Sequence, residues 1–209
     1  MLLRCRIGER NTTQYRILID ECLGLDGARA KRCGFSLERP RSSVTMAAMA
    51  GPHDALIERL YAAFARCDGA AMAACYGPGV HFRDPAFGDL HGPEAGAMWR
   101  MLAGSALDFR LELLEHGSDA TSGTAHWLAH YTFSQTGRPV VNDVRATFRF
   151  EGGLIVDHVD EFDFPRWASQ ALGLRGRLLG RTAFLRRSVQ GRARARLAAY
   201  VASGGSSAV

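Results

Sequence analysis

The sequence predicts an α+β fold in which three N-terminal helices close a cone-shaped, curved antiparallel sheet, followed by a basic helical tail. Three observations lead to this prediction. Apolar residues repeat at helical spacing in the first half of the central region, and they alternate as in half-buried strands in its second half. The C-terminal segment contains nine arginines and no acidic residue, with leucines at helical spacing. Strands joined in sequence by turns form a meander, whose curved face the helices would cover.

Charge and composition divide the chain into three parts. Residues 1–45 lack a sustained apolar repeat, and we expect an irregular extension or a mis-assigned start, because Met46 and Met49 follow directly. A targeting arm is a less favoured alternative for this segment. Residues 46–165 are expected to form the folded domain, and residues 166–209 the tail. The net charges of the three parts are +4, −8 and +9, so an acidic domain argues against a nucleic-acid groove.

The cysteine pattern and the hydropathy indicate the compartment. The five cysteines show neither a C-x-x-C pair nor the spacing of a disulfide framework, so we expect reduced thiols and a cytoplasmic protein. The sequence contains no apolar run long enough to span a bilayer, and its first residues do not resemble a secretory signal.

Three helices and a short strand are predicted before the meander. The first helix runs from Pro52 to about Cys67, with apolar residues at helical spacing. The second covers residues 70–76, and a Gly-Pro-Gly turn separates it from a strand at residues 80–83. The third covers residues 92–103, with a proline in its first turn.

Four long strands complete the predicted domain. They cover residues 107–116, 122–135, 139–151 and 154–164, and the turns between them are rich in Gly, Ser and Asp. Because residues two apart on a strand share a face, alternation identifies the side chains that point into the concavity.

Asp84 is the strongest candidate for a catalytic residue. It ends the short strand and precedes Pro85, which confines Asp84 to extended backbone and so fixes the position of its carboxylate. A carboxylate held in a partly dry pocket is suited to act as a general base. An Asp-Pro pair that simply begins a turn is the alternative interpretation.

The strands are expected to bring further polar and aromatic side chains into a pocket. If Asp160 points inward, His158 shares its face, and a plain hydrogen bond between the two is the alternative to catalysis. The predicted catalytic residues are Asp84, Asp160 and His158. The predicted substrate-binding residues are Tyr61, Trp99, Trp127, Tyr131, Asn142 and Phe148, for which a core role is the alternative. Such a lining suits a hydrophobic small molecule that carries one or two oxygens.

No metal or cofactor is predicted. His126 and His130 share the strand face opposite Trp127, and we expect them to face solvent or a dimer partner, with a metal pair as the less favoured alternative. Neither an H-E-x-x-H motif, a phosphate-binding Gly loop nor a Gly-x-Ser-x-Gly elbow occurs.

The motif order resembles the nuclear transport factor 2-like superfamily over residues 52–165. The segments that carry the resemblance are "FRDPAFG" at 82–88, "GPEA" at 92–95 and "GLIVDHVDEFDFPRW" at 153–167. The superfamily includes ketosteroid isomerase, limonene epoxide hydrolase, SnoaL-type polyketide cyclases and non-catalytic binding domains. The resemblance therefore implies the cone-shaped fold and leaves the activity open.

The resemblance to ketosteroid isomerase covers the base but not the oxyanion donors. Asp84 matches the aspartate general base of that isomerase. The position of its oxyanion tyrosine falls on Leu60, with Tyr61 one step round the helix, and the position of its second acid falls on Ala146. Steroid isomerisation by that mechanism is therefore not expected.

The resemblance to limonene epoxide hydrolase is also partial. Asp160 matches a catalytic aspartate on the closing strand of that hydrolase. The positions of its arginine and of its second aspartate fall on Trp127 and Ala129, so the epoxide-opening triad is incomplete.

Two functional hypotheses follow. The first is a cofactor-independent isomerase, cyclase or hydrolase of the SnoaL type, with Asp84 as general base and with His158 and Asp160 orienting substrate or water. The second is a non-catalytic ligand-binding or dimerisation module of the same fold. An enclosed cavity that contains both aspartates would favour the first, and a cone filled by aromatic side chains would favour the second. A homodimer is expected in either case.

The basic tail is expected to pack against the protein. Leu174, Leu178, Leu185 and Val189 form an apolar stripe among the arginines. We expect this stripe to dock on the acidic domain or on a partner subunit. Contact with a membrane surface is less favoured, and nucleic acid is least favoured.

Overall fold

The structure is a computed structural model that describes residues 50–105 and 108–205 of the chain. The expectations for residues 1–45 and for the choice of start residue lie outside the described residues. Within the described ranges, no helix is long and apolar enough to cross a membrane.

Three helices lie on the N-terminal side of the meander, in agreement with the sequence. They are α1, Asp54–Ala65; α2, Gly69–Ala73; and α3, Pro93–Ser105. Helix α2 is capped by Asp68, whose side chain accepts a hydrogen bond from the Ala71 N–H at 2.9 Å.

The predicted end of α2 is wrong. The sequence placed residues 70–76 in one helix, but the helix ends at Ala73 and the first strand begins at Tyr76. The Ile155 N–H donates a hydrogen bond to the Cys75 carbonyl, and Tyr76 pairs with Ile155. Pairing with a distant strand therefore overrides the helical propensity of the alanine-rich segment.

Six strands form one curved sheet. They are β1, Tyr76–Asp84; β2, Gly88–His91; β3, Arg110–Ser118; β4, Ser122–Phe133; β5, Arg138–Glu151; and β6, Leu154–Glu161. Their order in the sheet is β2-β1-β6-β5-β4-β3, with β1 and β6 parallel and all other neighbours antiparallel. The sequence predicted the meander from β3 to β6 but missed β2, a strand of four residues that returns along β1.

Alternation along the strands places the core on one face of the sheet. In β5 the side chains of Val140, Val144, Ala146 and Phe148 are buried, whereas the residues between them are exposed or partly exposed. The buried sides of α1 and α3 pack on this face. The α+β cone closed by helices is thus the observed fold.

The tail is helical, as predicted, and consists of three helices. They are α4, Phe164–Leu172; α5, Leu174–Leu179; and α6, Ala183–Tyr200, which continues into a π-helical turn at Val201–Gly205. Helix α4 begins where the sequence predicted the end of β6, because the Asp163 side chain accepts a hydrogen bond from the Arg166 N–H at 3.0 Å and caps the helix.

Helix α4 covers an open edge of the sheet. The pairing of β5 with β6 stops at Arg145 and Glu161, so the earlier part of β5 has no neighbour on that side. The Gln170 side chain takes its place: its Oε1 accepts from the Val141 N–H at 2.9 Å, and its Nε2 donates to the Val141 carbonyl at 3.1 Å. The tail thereby satisfies backbone groups that an edge strand leaves unpaired.

Helix α6 lies across the loop that follows β1. The Gln190 amide donates to the Pro85 carbonyl at 3.3 Å, the Arg194 guanidinium donates to the Phe87 carbonyl at 2.9 Å, and Leu197 is buried in the core. Within the described ranges, no tail arginine forms an ion pair with an acidic residue of the domain. Apolar packing and bonds to backbone carbonyls hold the tail.

Only half of the predicted apolar stripe packs on the domain. Leu174 and Leu178, its first half, are 71% and 72% exposed in the single chain. Leu185 and Val189, its second half, do pack against the apolar cluster of α4. The reason is the contact made by Gly176, which turns the two leucines outward and is described below.

Candidate functional site

Asp84 lies at the end of β1, where the chain turns toward β2. Its Oδ1 accepts hydrogen bonds from the backbone N–H groups of Ala86, at 2.9 Å, and of Phe87. The backbone N–H of Gly88 also stabilises the charged form of this carboxyl group. The turn that follows β1 therefore holds the carboxyl group through its own backbone N–H groups.

The surroundings of Asp84 favour its neutral form. Part of the side chain remains accessible at the surface, but most of its neighbourhood is protein. Desolvation raises the pKa of Asp84 from its usual 3.8 to about 7, and the charge of Asp160 adds to the increase. The amide hydrogen bonds from Phe87 and Ala86 act in the opposite direction with a smaller effect. The carboxyl group can therefore exchange a proton near neutral pH.

Asp160 and His158 end a buried hydrogen-bond chain. The Trp99 indole N–H donates to the Tyr76 hydroxyl at 2.9 Å, the Tyr76 hydroxyl lies 2.8 Å from His158 Nδ1, and His158 Nε2 lies 3.1 Å from Asp160 Oδ1. The indole can only donate, so the Tyr76 O–H is free to donate to Nδ1. In this tautomer the imidazole carries its proton on Nε2, and that N–H donates a hydrogen bond to the Asp160 carboxylate.

Aromatic rings enclose this histidine. His158 is 1% exposed, and its ring stacks on Tyr76 and contacts Phe148 at a centroid distance of 4.5 Å and Phe82 at 5.1 Å. Asp160 is 5% exposed. The enclosure holds the imidazole and the carboxylate in one arrangement.

Tyr61 and Trp127 contribute two buried donors to the same region. The Trp127 indole N–H lies close enough to the Tyr61 hydroxyl to favour its charged form, the rings being 5.7 Å apart, and neither group has another hydrogen-bond partner among the described residues. Burial raises the pKa of Tyr61 well above its usual value, and the charge of Asp160 adds to this effect. The hydroxyl therefore keeps its proton and can donate to an acceptor near Asp160.

Tyr131 connects Asp84 to the tail. The Trp167 indole N–H of α4 donates to the Tyr131 hydroxyl at 2.8 Å. Burial raises the pKa of Tyr131 to about 12, and the negative charge of Asp84 contributes to the increase. Helix α4 thus packs beside the predicted general base.

An open cleft of about 510 Å³ lies between the sheet and the tail. It is lined by Pro85 and Asn142, by charged side chains of β5, β6 and the tail, and by Trp167. Asp84 and Asp160 are not among its lining residues. The structure therefore separates Asn142 from Trp99, Trp127 and Phe148, which are buried in the core.

Sequence reasoning missed Tyr76 as a member of the site. It was assigned to the end of α2, yet its hydroxyl joins Trp99 to His158. The only local signal is an aromatic residue directly before a Gly-Pro-Gly segment, and its partner lies 82 positions away.

The outward-facing histidines of β4 pair with carboxylates. His126 Nε2 lies 2.8 Å from Asp143, and His130 Nε2 lies 3.0 Å from Glu112. In the part of the chain that the structure describes, no group of three or more His, Cys, Asp or Glu side chains could hold a metal ion.

The sequence of residues 57–158 matches the family model of the SnoaL-like domain. These residues form a SnoaL-like domain with the nuclear transport factor 2-like fold. The SnoaL-like domain so identified covers α1 to β6, and the tail helices lie outside the match. No curated protein matches the sequence.

Solved structures share the fold of this SnoaL-like domain. A proposed polyketide cyclase of Xanthomonas campestris pv. campestris is 21% identical, with a TM-score of 0.50 over 57% of this chain and 96% of that chain. A protein of Catenulispora acidiphila with a ketosteroid isomerase-like fold, solved with trimethylamine, is 14% identical, with a TM-score of 0.51 over 58% and 94%. A proposed polyketide cyclase of Silicibacter sp. TM1040 is 19% identical, with a TM-score of 0.50 over 56% and 93%. At these identities the likeness concerns the fold alone.

Proposed function

We propose that this SnoaL-like domain is an isomerase or cyclase in which Asp84 removes a proton from a carbon beside a carbonyl group of a hydrophobic substrate. The observation that carries the proposal is the Asp84 carboxyl, which backbone N–H groups hold through Oδ1 and whose pKa is raised by burial to about 7. A general base is most effective when its pKa lies near the working pH. A hydrolase in which Asp84 activates water would use the same base.

A buried hydroxyl supports this proposal. When Asp84 takes the proton, the electron pair of the C–H bond moves to the carbonyl oxygen and forms an enolate. The Tyr61 hydroxyl is buried near Asp160, donates to no described residue, and has the Trp127 indole N–H beside it. Buried donors aimed at a developing oxyanion lower the barrier, and the loss of one typically costs on the order of a hundredfold in rate.

The remaining residues orient the substrate. His158 and Asp160 present a fixed polar edge, and Tyr131 lies beside Asp84 on the side that faces the tail. The proposed reaction uses protein side chains alone.

Deuterium exchange at carbon tests the proposed base without the natural substrate. The probe is 2-tetralone, an apolar ketone with acidic protons beside its carbonyl, incubated in D₂O and followed by proton NMR. The native protein should accelerate exchange, and Asp84→Asn should reduce the acceleration by about a hundredfold or more because the amide cannot accept the proton. Asp119→Asn, an exposed turn aspartate, is the matched control and should exchange at the native rate. Equal exchange by native protein and Asp84→Asn would contradict the assignment.

A second candidate is a non-catalytic ligand-binding module. Two observations favour it: Trp99, Trp127 and Phe148 are at most 5% exposed in the core, and neither Asp84 nor Asp160 lines the cleft between the sheet and the tail. Quenching of tryptophan fluorescence by 2-tetralone, without any exchange above the buffer rate, would favour this candidate over the enzyme.

A further inference from the structure

The bend between α5 and α6 exposes a group of large apolar side chains. Leu174 is 71% exposed, Leu178 72%, Leu179 42% and Phe184 75%. We call these four residues the apolar elbow. Single exposed leucines are ordinary, but four large apolar side chains within eleven residues form a patch of the kind that marks an interaction surface.

Backbone contacts of two glycines keep the elbow exposed. A Cβ atom at Gly176 would lie 1.8 Å from the Ala168 carbonyl oxygen, so α5 touches α4 at the one residue without a side chain. Leu174 and Leu178 lie two positions to either side of Gly176, about 200° around the helix, and so face away from α4. A Cβ at Gly180 would lie 2.5 Å from the Gly176 carbonyl oxygen. With α5 packed in this way, Leu174 and Leu178 remain exposed.

Arginines surround the elbow without acidic neighbours. Arg175, Arg177, Arg181 and Arg187 are exposed and form no ion pair with any described residue. The sequence from residue 164 to the C-terminus contains no aspartate or glutamate. The patch therefore combines apolar side chains with an unbalanced positive charge.

We propose that the apolar elbow docks the protein onto an anionic lipid surface. The leucines and Phe184 would enter the boundary between headgroups and acyl chains, while the arginines bind lipid phosphates and carboxylates. Charge complementarity favours this occupant over a contact between the elbows of two copies of the chain. A symmetric contact through the same patch would bring the arginines of both subunits together. Nucleic acid would bind the arginines but gain nothing from the exposed leucines.

Vesicle binding by the full chain tests the proposal. The probes are vesicles of phosphatidylcholine with phosphatidylserine, and vesicles of phosphatidylcholine alone. The native protein should sediment with the anionic vesicles, and high salt should weaken its binding. The double variant Leu178→Ser/Phe184→Ser should lower the partition coefficient by about tenfold or more, since each side chain loses apolar burial in the lipid. Both side chains are at least 72% exposed, so the fold should be unaffected.

Matched variants separate the apolar and the charged contributions. Leu114→Ser removes a leucine that is 47% exposed on β3 and should bind anionic vesicles as the native protein does. Arg175→Gln/Arg181→Gln should weaken binding and reduce its salt dependence.

Three outcomes would overturn the proposal. The first is native protein that does not bind the anionic vesicles. The second is unchanged binding by Leu178→Ser/Phe184→Ser. The third is concentration-dependent self-association that this double variant abolishes while no vesicle binding occurs, which would assign the elbow to a second copy of the chain.

Discussion

The two faces of the sheet carry the same pair of residue types in opposite environments. On the inner face, His158 Nε2 lies 3.1 Å from Asp160, and both side chains are at most 5% exposed. On the outer face, His81 lies between two aspartates, with Nδ1 2.7 Å from Asp157 and Nε2 2.9 Å from Asp89. The outer histidine has two carboxylates within reach and solvent around it. The inner one has one carboxylate, one hydroxyl and a shell of aromatic rings.

The difference shows that the solvent exposure of an ion pair decides how much it contributes to the stability of the fold. Hydrogen bonds to Asp89 and Asp157 raise the pKa of His81, but solvent screens the pair and limits its contribution to stability. His158 and Asp160 are buried, so removal of one group leaves the other unpaired away from solvent. The inner face is therefore sensitive to single substitutions, and the outer face is tolerant of them.

The largest expected effect on stability concerns Asp84 and pH. Because its folded pKa, about 7, exceeds the unfolded value, 3.8, the folded state binds more protons between these values, and stability falls as pH rises from about 4 to about 7. The decrease has an upper bound on the order of 4 kcal/mol. Chemical denaturation across this range should show the decline in the native protein and not in Asp84→Asn.

Asp119→Asn is the control for this experiment. Hydrogen bonds from Ser122 and Thr121 lower the pKa of Asp119 to about 2, so its contribution is present above pH 3.8 and is lost only as the pH falls below it. The free energy of unfolding of this variant should fall between pH 4 and pH 7 as steeply as that of the native protein. If Asp84→Asn also kept the native slope, Asp84 would not be the source of the decline.

The next effect distinguishes the inner face from the outer one. Tyr76→Phe leaves the Trp99 indole N–H without an acceptor and His158 Nδ1 without a donor, which should lower the free energy of unfolding by roughly 2 kcal/mol or more. Tyr200→Phe removes a hydroxyl that makes no hydrogen bond with a described residue and should change stability little. Urea denaturation of both variants measures the difference, and equal values would show that the buried chain contributes nothing.

The smallest effect is expected on the outer face. His81→Asn should lower the free energy of unfolding by less than about 1 kcal/mol, because the pair is solvated. The raised pKa of His81 makes this contribution complete below about pH 6.5 and removes it as the pH rises through the folded pKa. The loss should therefore appear at pH 6, disappear at pH 9 and diminish in high salt. If His81→Asn lowered the free energy of unfolding as much as Tyr76→Phe does, the two faces of the sheet would not differ in their sensitivity to substitution.

The sequence was informative where periodicity alone decides the structure. Alternation correctly placed His158 and Asp160 on the buried face of β6, because a strand has only two faces. Helical spacing of apolar residues likewise located α1 and α3, because the buried side of a helix repeats at a fixed period. The motif around Asp84 predicted that this residue ends a strand. Its raised pKa depends on the tertiary surroundings, which the sequence does not show.

The sequence was uninformative where a long-range contact decides the structure. Tyr76 was assigned to a helix because its neighbours favour one, and only pairing with Ile155 makes it part of β1. The apolar pattern left open whether Leu174 and Leu178 dock on the domain or on a partner subunit, and Gly176, which allows the backbones of α5 and α4 to meet, turns them away from the domain. Which side of a short helix touches its neighbour depends on that close approach and not on the apolar pattern.

The pKa of Asp84 itself tests the central claim most directly. Carbon-13 NMR of protein labelled at the aspartate carboxyl carbons follows each group through a pH titration, and the spectrum of Asp84→Asn identifies the resonance of Asp84. We predict a titration midpoint near pH 7 for this carboxyl, as its desolvation beside Asp160 requires. A midpoint near the usual 3.8 would contradict the account, because Asp84 would then be an ordinary turn aspartate and a weak base.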